Sequence, residues 1–90
     1  MRSLATRRFW KHLERLPPDI QKLAEKNYVL WCEDQRHPSL HFKQLGGGTN
    51  RYSVRIGLHY RALAKRQENG DYVWVWIGSH AEYDRLVRSN

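Results

Sequence analysis

The chain has very little of several things, and each shortage excludes something. It has one cysteine, Cys32, in 90 residues, so no disulfide can form within it. The neighbours Leu30 and Trp31 put that thiol at a half-buried helix position, where it packs rather than reacts. No apolar run approaches the roughly 18 residues that a membrane-crossing helix needs. The N-terminus carries charge but no apolar stretch of the secretory kind, which leaves the cytoplasm as the default location. Metal-ligand spacing is also missing. His12, His37, His41 and His59 are scattered, and none of them pairs with a second His or with Cys32 on one helix face. Neither a metal nor a small-molecule cofactor is expected. The one glycine run, Gly46-Gly47-Gly48, ends in Thr49-Asn50. A phosphate-binding P-loop would end in Gly-Lys-Ser/Thr, so this run reads as a flexible loop. There are no internal repeats or low-complexity segments.

Acidic residues are scarce too. Nine Asp/Glu stand against 16 Lys/Arg, for a formal net charge of +7. The first 45 residues carry nine basic and five acidic side chains, and the last 45 carry seven and four, so the excess is not a tail. A compact basic domain of this kind meets a polyanion or an acidic protein. Nucleic acid, ribosomal RNA included, is the first expectation. The hydrophobic fraction of 40% and four Trp are enough for a packed core, and 90 residues make a single domain over 1–90.

The first part of the chain reads as two helices. Thr6 is suited to cap a helix over 7–15, with Phe9, Trp10, Leu13 and Leu16 at helical spacing on its buried face. Leu16-Pro17-Pro18 stops that helix and starts the next, because proline at the first helical position sacrifices no hydrogen bond. Ile20, Leu23, Ala24, Tyr28, Leu30 and Trp31 then form a stripe to about Asp34, with Asn27 its one polar interruption. His37-Pro38 breaks it. The short connection makes an αα-hairpin with one apolar face.

The remainder reads as strands. Residues 39–45 form a short first strand anchored by Leu40, Phe42 or Leu45. Tyr52, Val54, Ile56 and Leu58 alternate with Arg51, Ser53, Arg55 and Gly57, the pattern of a half-buried strand. Gly57–His59 is a tight turn. Beyond it Tyr60, Ala62 and Ala64 alternate with His59, Arg61, Leu63 and Lys65. Asn69-Gly70 is a strong hairpin signal. Tyr72–Ile77 is apolar on both sides, as an interior strand is, with Val73, Val75 and Ile77 on one face and Tyr72, Trp74 and Trp76 on the other. Gly78 ends it. Ser79-His80-Ala81-Glu82 fits a capping box that opens a short helix, packed on the sheet by Tyr83, Leu86 and Val87.

Two sets of residues carry chemistry. Arg51, Arg55 and Arg61 share a sheet face with His59 and Lys65 if the turn preserves alternation. Neighbours on one face stand roughly 5 Å apart, close enough to hold one phosphate together. The same row would also serve as a plain solvated face. His80 opens a helix whose N-terminal partial positive charge disfavours an imidazolium, so the ring would be neutral and able to accept a proton. Cleavage of RNA by its own 2′-hydroxyl needs such a base, positive charge on the phosphate and an acid for the leaving oxygen. His80 with Arg55 and Arg61 offers the first two, and Tyr83, on nearly the same helix face, could stack on a base or donate a proton. The alternative roles are a capping histidine and a core tyrosine. Trp74 and Trp76 could stack bases or lie buried, Glu82 reads as a cap, and Asp84 as a surface residue.

The order helix hairpin, PSLHFKQL, YSVRIGLHYRAL, VWVWIGSHAEYDRL resembles the RelE/ParE superfamily of bacterial type II toxins, over roughly residues 6–87. It is nearest to the small RelE-like cytotoxic translational repressors. Val54-Arg55-Ile56-Gly57 with Tyr60-Arg61 carries the likeness. So does Ile77-Gly78-Ser79-His80 with Tyr83-Asp84, which is similar to the Gly-Thr-His ending of YafQ-type toxins. The resemblance implies an α+β fold, with an N-terminal helical hairpin packed on a three- to four-stranded antiparallel sheet and a short C-terminal helix. It further implies a toxin that cuts mRNA in the ribosomal A site and is neutralised by a cognate antitoxin. Its partners would then be antitoxin, mRNA and ribosome, with no membrane. Carried over by position, Arg61 resembles the strand arginine that stabilises the phosphate and His80 the base, with Arg55, Lys43 and Tyr83 as further matches. Arg51, His59 and Lys65 would add RNA contacts. Family members usually open with a strand, which the short basic stretch 1–6 does not advertise. The ParE branch poisons gyrase without cutting anything, and an inactive remnant that binds only an antitoxin-like protein or RNA is the third alternative.

Overall fold

The computed structural model describes residues 3–88 apart from Gly47, so the middle of the glycine loop lies outside the described residues. The elements run β1 (Ser3–Ala5), α1 (Arg7–Glu14), α2 (Pro18–Glu33), a 3₁₀ turn (Pro38–Leu40), β2 (Lys43–Gln44), β3 (Arg51–Ile56), β4 (Tyr60–Arg66), β5 (Tyr72–Ser79) and α3 (His80–Arg88). The strands form one sheet in the order β1-β5-β4-β3-β2. Four are antiparallel to their neighbours, and β1 adds a fifth, parallel to β5. The opening edge strand that the sequence does not advertise is therefore present. Ser3 holds it in place, its Oγ accepting from the Trp74 indole N–H at 2.9 Å.

Both expected helices form, and their ends have local causes. The Phe9 amide donates to Thr6 Oγ1 at 3.1 Å, the side-chain cap that a first turn requires. Pro17 and Pro18 open α2 without side-chain capping. Asn27 interrupts the apolar stripe for a reason: its side-chain amide donates to the Arg55 carbonyl at 3.1 Å, tying α2 to β3. Trp31 is fully buried, edge-on to Phe42, Tyr72 and Trp74 at centroid distances of 5.7, 5.2 and 5.2 Å. Trp10 and Tyr28, assigned to the buried faces, are instead exposed at 54% and 42%. They flank an apolar groove of about 700 Å³ between the two helices and the sheet. Cys32 is exposed rather than half-buried. No helix among the described residues is long and apolar enough to cross a membrane.

Three strand expectations change. Residues 38–40 turn as a 3₁₀ segment, and His41 takes a left-handed backbone (φ 47°), so only Lys43–Gln44 remain as β2. Leu58 lies in the β3–β4 turn and is 69% exposed. The last strand runs on through Gly78 to Ser79. Its register against β4 also slips. Leu63 pairs with Trp76 but Ala64 with Trp74, which leaves Val75 as an extra residue in a β-bulge. Trp74 and Trp76 therefore face opposite sides. Trp74 joins Ile77 and Tyr72 in the core beneath α1 and α2. Trp76 joins Leu45, Leu63 and Tyr83 in a second cluster beneath α3, with Val75 packed against it. The alternation rule fails here because a strand apolar on both faces carries no signal for an inserted residue.

Gly78 follows from this arrangement. The Trp76 ring lies over it, and a Cβ there would sit 2.6 Å from the ring. Gly78→Ala should therefore lower the unfolding free energy by about 1–3 kcal/mol, read by urea unfolding. In a Trp76→Leu background the same change should be milder, because the obstructing ring is gone. An unaltered midpoint for Gly78→Ala alone would show that the ring swings aside freely.

Candidate functional site

The sheet face away from α1 and α2 carries the basic row, and the strand ladder places it. Arg51 pairs with Lys65, Ser53 with Leu63 and Arg55 with Arg61. The uncharged middle rung, whose Leu63 packs against Tyr83 of α3, keeps the two basic rungs apart. Arg55 and Arg61 border a cleft of about 200 Å³ lined by His41, Lys43, Ser53, Arg55, Arg61, His80, Tyr83 and Asp84. Arg51 and Lys65 lie outside it, at the far end of the same face. His59 also lies outside, in the exposed turn, where its backbone carbonyl accepts from the His80 amide at 2.7 Å. Of the residues singled out by sequence, His80, Arg61, Arg55, Tyr83 and Lys43 thus share one cleft, and Arg51, His59 and Lys65 do not.

Each guanidinium is held by uncharged groups. Arg55 Nε donates to the Gly57 carbonyl at 3.1 Å, and its Nη1 donates to His41 Nε2 at 3.3 Å. Arg61 Nη1 donates to the Tyr60 carbonyl at 2.8 Å. Arginine has five N–H donors, so both keep several for a ligand. Burial first, and then the Arg55 charge, push Arg61 below the ordinary arginine value, against an upward pull from Tyr83 and Asp84. Two like charges on one rung repel. Arginine still loses its proton only far above neutral pH, so a bound anion, and not a change of pH, relieves the crowding.

His80 is set by the helix it opens. Ser79 Oγ accepts from the Glu82 amide at 3.2 Å and meets Glu82 Oε1 at 3.1 Å. The carboxylate thus engages the Ser79 hydroxyl rather than the cap's own amide. One turn on, Asp84 Oδ2 stands 3.3 Å from His80 Nδ1. Both side chains are more than two-fifths exposed, so the pair adds at most about 0.5 kcal/mol to stability. Its main consequence is orientation. An Nδ1–H aimed at the carboxylate leaves Nε2 as the ring nitrogen that can take a proton. Tyr83 is buried beneath α3, with its ring centroid 6.0 Å from that of His80.

Sequence reading passed over three members of this cleft. Asp84 was read as a surface residue, although its i, i+4 spacing from His80 was a usable signal. Ser53 is buried beneath the cleft. His41 had no local signal at all, since it reaches Arg55 only through the fold. Among the described residues no group of three or more His, Cys, Asp or Glu is placed to hold a metal ion.

Residues 18–85, about three quarters of the chain, match the family model for the ParE-like toxin domain. The chain belongs to this toxin family. Solved structures of the wider RelE/ParE superfamily share its fold. A chain of the RelB–RelE antitoxin–toxin complex from Methanococcus jannaschii is 20% identical at a TM-score of 0.69, covering 92% of this chain and 96% of that one. The YoeB/ParE toxin from Agrobacterium tumefaciens is 14% identical at 0.69, covering 89% and 99%. The isolated E. coli RelE toxin is 15% identical at 0.65, covering 99% and 98%. No curated protein matches at a significant level. The α+β architecture expected from the motifs is thus the fold of these toxins.

The crowded Arg55–Arg61 rung makes a direct prediction for this toxin domain. Inorganic phosphate should raise the melting temperature of the wild type, and Arg61→Gln should stay folded but lose the response. An equal rise in both proteins would assign the effect to general salt action instead.

Proposed function

We propose that the chain is the toxin of a type II toxin–antitoxin pair and that it cuts mRNA on the ribosome. The observation that supports this most is the rung Arg55–Arg61 beside a histidine whose Nδ1 is tied to Asp84. The pair of guanidiniums suits a phosphodiester whose negative charge grows as the 2′-oxygen attacks. His80 Nε2 is free to take the 2′-hydroxyl proton. Lys43 at the cleft mouth adds a further contact to RNA, and Arg51 with Lys65 extends the basic face along the strand. The charge of +7 favours a ribosomal surface, which is dense in phosphate. Such a protein works in the cytoplasm. It needs a cognate antitoxin, as the RelE relatives from Methanococcus jannaschii, Pyrococcus horikoshii and E. coli were each solved with one.

His80→Ala and Arg61→Ala should each abolish growth inhibition on expression without antitoxin, while both proteins keep wild-type circular dichroism. Asp84→Asn should slow cleavage by about 10²-fold, because the ring loses the partner that sets its tautomer. In cell-free translation, primer extension should show new mRNA ends inside codons, only on translated message. Intact message with inhibited gyrase supercoiling would replace the nuclease reading with gyrase poisoning. Intact message with neither effect would leave a binding-only protein.

A further inference from the structure

Base and charge stabilisation have their residues in the nuclease reading above, but the leaving oxygen has none with a clear claim. Tyr83 is 8% exposed and packs in the Leu45–Leu63–Trp76 cluster, so its ring is held as core. The cleft holds a second imidazole. His41 is exposed and lines the same cavity as His80. Its place follows from the sheet register. Lys43 pairs with Ser53, and just before that short strand the His41 ring meets Arg55 Nη1 at 3.3 Å, which sets it beside Arg55 on the β2 side. Arg55 pairs with Arg61, and Arg61 with Gly78, two residues before His80. Across the sheet the order is therefore His41, Arg55, Arg61, His80. The two imidazoles flank the arginine rung from opposite sides.

That arrangement suits an in-line displacement at phosphorus, in which the attacking and leaving oxygens lie on opposite sides of the atom. Taking the nuclease reading as its basis, we propose that His41 is the general acid that protonates the leaving 5′-oxygen. The bond from the 2′-oxygen to phosphorus forms, and the bond from phosphorus to the 5′-oxygen breaks. The 2′-hydroxyl proton passes to His80 Nε2, and a proton that His41 has taken from solvent passes to the 5′-oxygen. The products are a 2′,3′-cyclic phosphate and a 5′-hydroxyl, and no oxidant, metal or further reactant is consumed. In the free protein His41 Nε2 accepts from Arg55. A phosphate oxygen competes for that guanidinium and releases the ring to act. The other charged groups facing the same cleft are Lys43 from β2, Arg61 from β4, and His80 and Asp84 from α3.

The backbone at His41 is unusual as well. It is the one non-glycine residue with positive φ among those described, at 47°. Asparagine accepts that conformation more readily than most residues, so His41→Asn should preserve the fold. Its melting temperature, compared with wild type, checks this.

The test is single-turnover cleavage on ribosomes programmed with a short mRNA, in two versions. One has the natural 5′-oxygen at the scissile bond, and the other has sulfur there, a leaving group that needs no protonation. On the oxygen substrate His41→Asn should be slowed by about 10²-fold or more. On the sulfur substrate most of that deficit should vanish, whereas His80→Ala should stay impaired on both. Equal rates for His41→Asn and wild type on the oxygen substrate would overturn the proposal. An equal deficit on both substrates would overturn it as well, leaving His41 only to position Arg55. If the wild type cuts neither mRNA, the nuclease reading itself fails.

Discussion

A single inserted residue in β5 decides which side chains meet on which face of this sheet. Val75 has no partner of its own on β4, so the parity of the strand changes there. Before it, Tyr72 and Trp74 point beneath the two long helices. After it, Ile77 points there, while Trp76 and Gly78 face α3. Without the bulge, side-chain alternation would carry Trp76 beneath the helices and turn Ile77 toward α3. With it, each side gains one large indole, and the smallest residue stands opposite Arg61. Gly78 leaves room for the Trp76 ring lying over it. His80 follows two residues later with its amide bonded to the turn between β3 and β4. The bulge thus acts on packing and on the cleft together.

The two faces of the sheet do different work. The helix-bearing face is closed by aromatic edges around Trp31, which links α2, the segment after the 3₁₀ turn, and β5. Such edge-to-face pairs favour one relative orientation, so they set the helical layer as well as burying area. The opposite face is covered only partly, by α3. That partial cover separates a small apolar cluster from a cationic cleft, and the cleft holds its like charges where water still reaches. Burial and the Arg55 charge both disfavour the charged form of Arg61, so a negative charge placed between the two guanidiniums would offset their repulsion. The hydrogen bonds that the two guanidiniums donate to Gly57, His41 and Tyr60 hold them in advance, so little ordering remains for a ligand to impose.

Much of this could be read along the chain. Thr6, Pro18 and Ser79 start helices for local reasons, and the cap geometry follows from side chains within three residues. Asn69-Gly70 makes its hairpin, and the alternation from Arg51 to Lys65 puts the arginines on one face. His80 stood out because it opens a helix after a strand. Other features had no local trace. His41 meets Arg55, 14 residues on, only because the 3₁₀ turn and the short β2 carry the chain back alongside β3. Trp10 and Tyr28 obey helical periodicity yet remain exposed, because periodicity states which residues share a face and not whether another element covers all of it. Asp84 lay within reach of sequence reasoning, since four residues on a helix bring side chains together.

The sequence by itself determined the two long helices, the three long strands, the basic face, the histidine that opens the last helix and the family, because each depends on residues close in the chain or on their order. Only the tertiary structure decided which cations share a cleft, which imidazole stands opposite His80, and which tryptophan lies on which side. Those depend on strand register and on one bulge. In a strand apolar on both faces, register is set by how the facing layers pack, and packing is a property of the assembled fold.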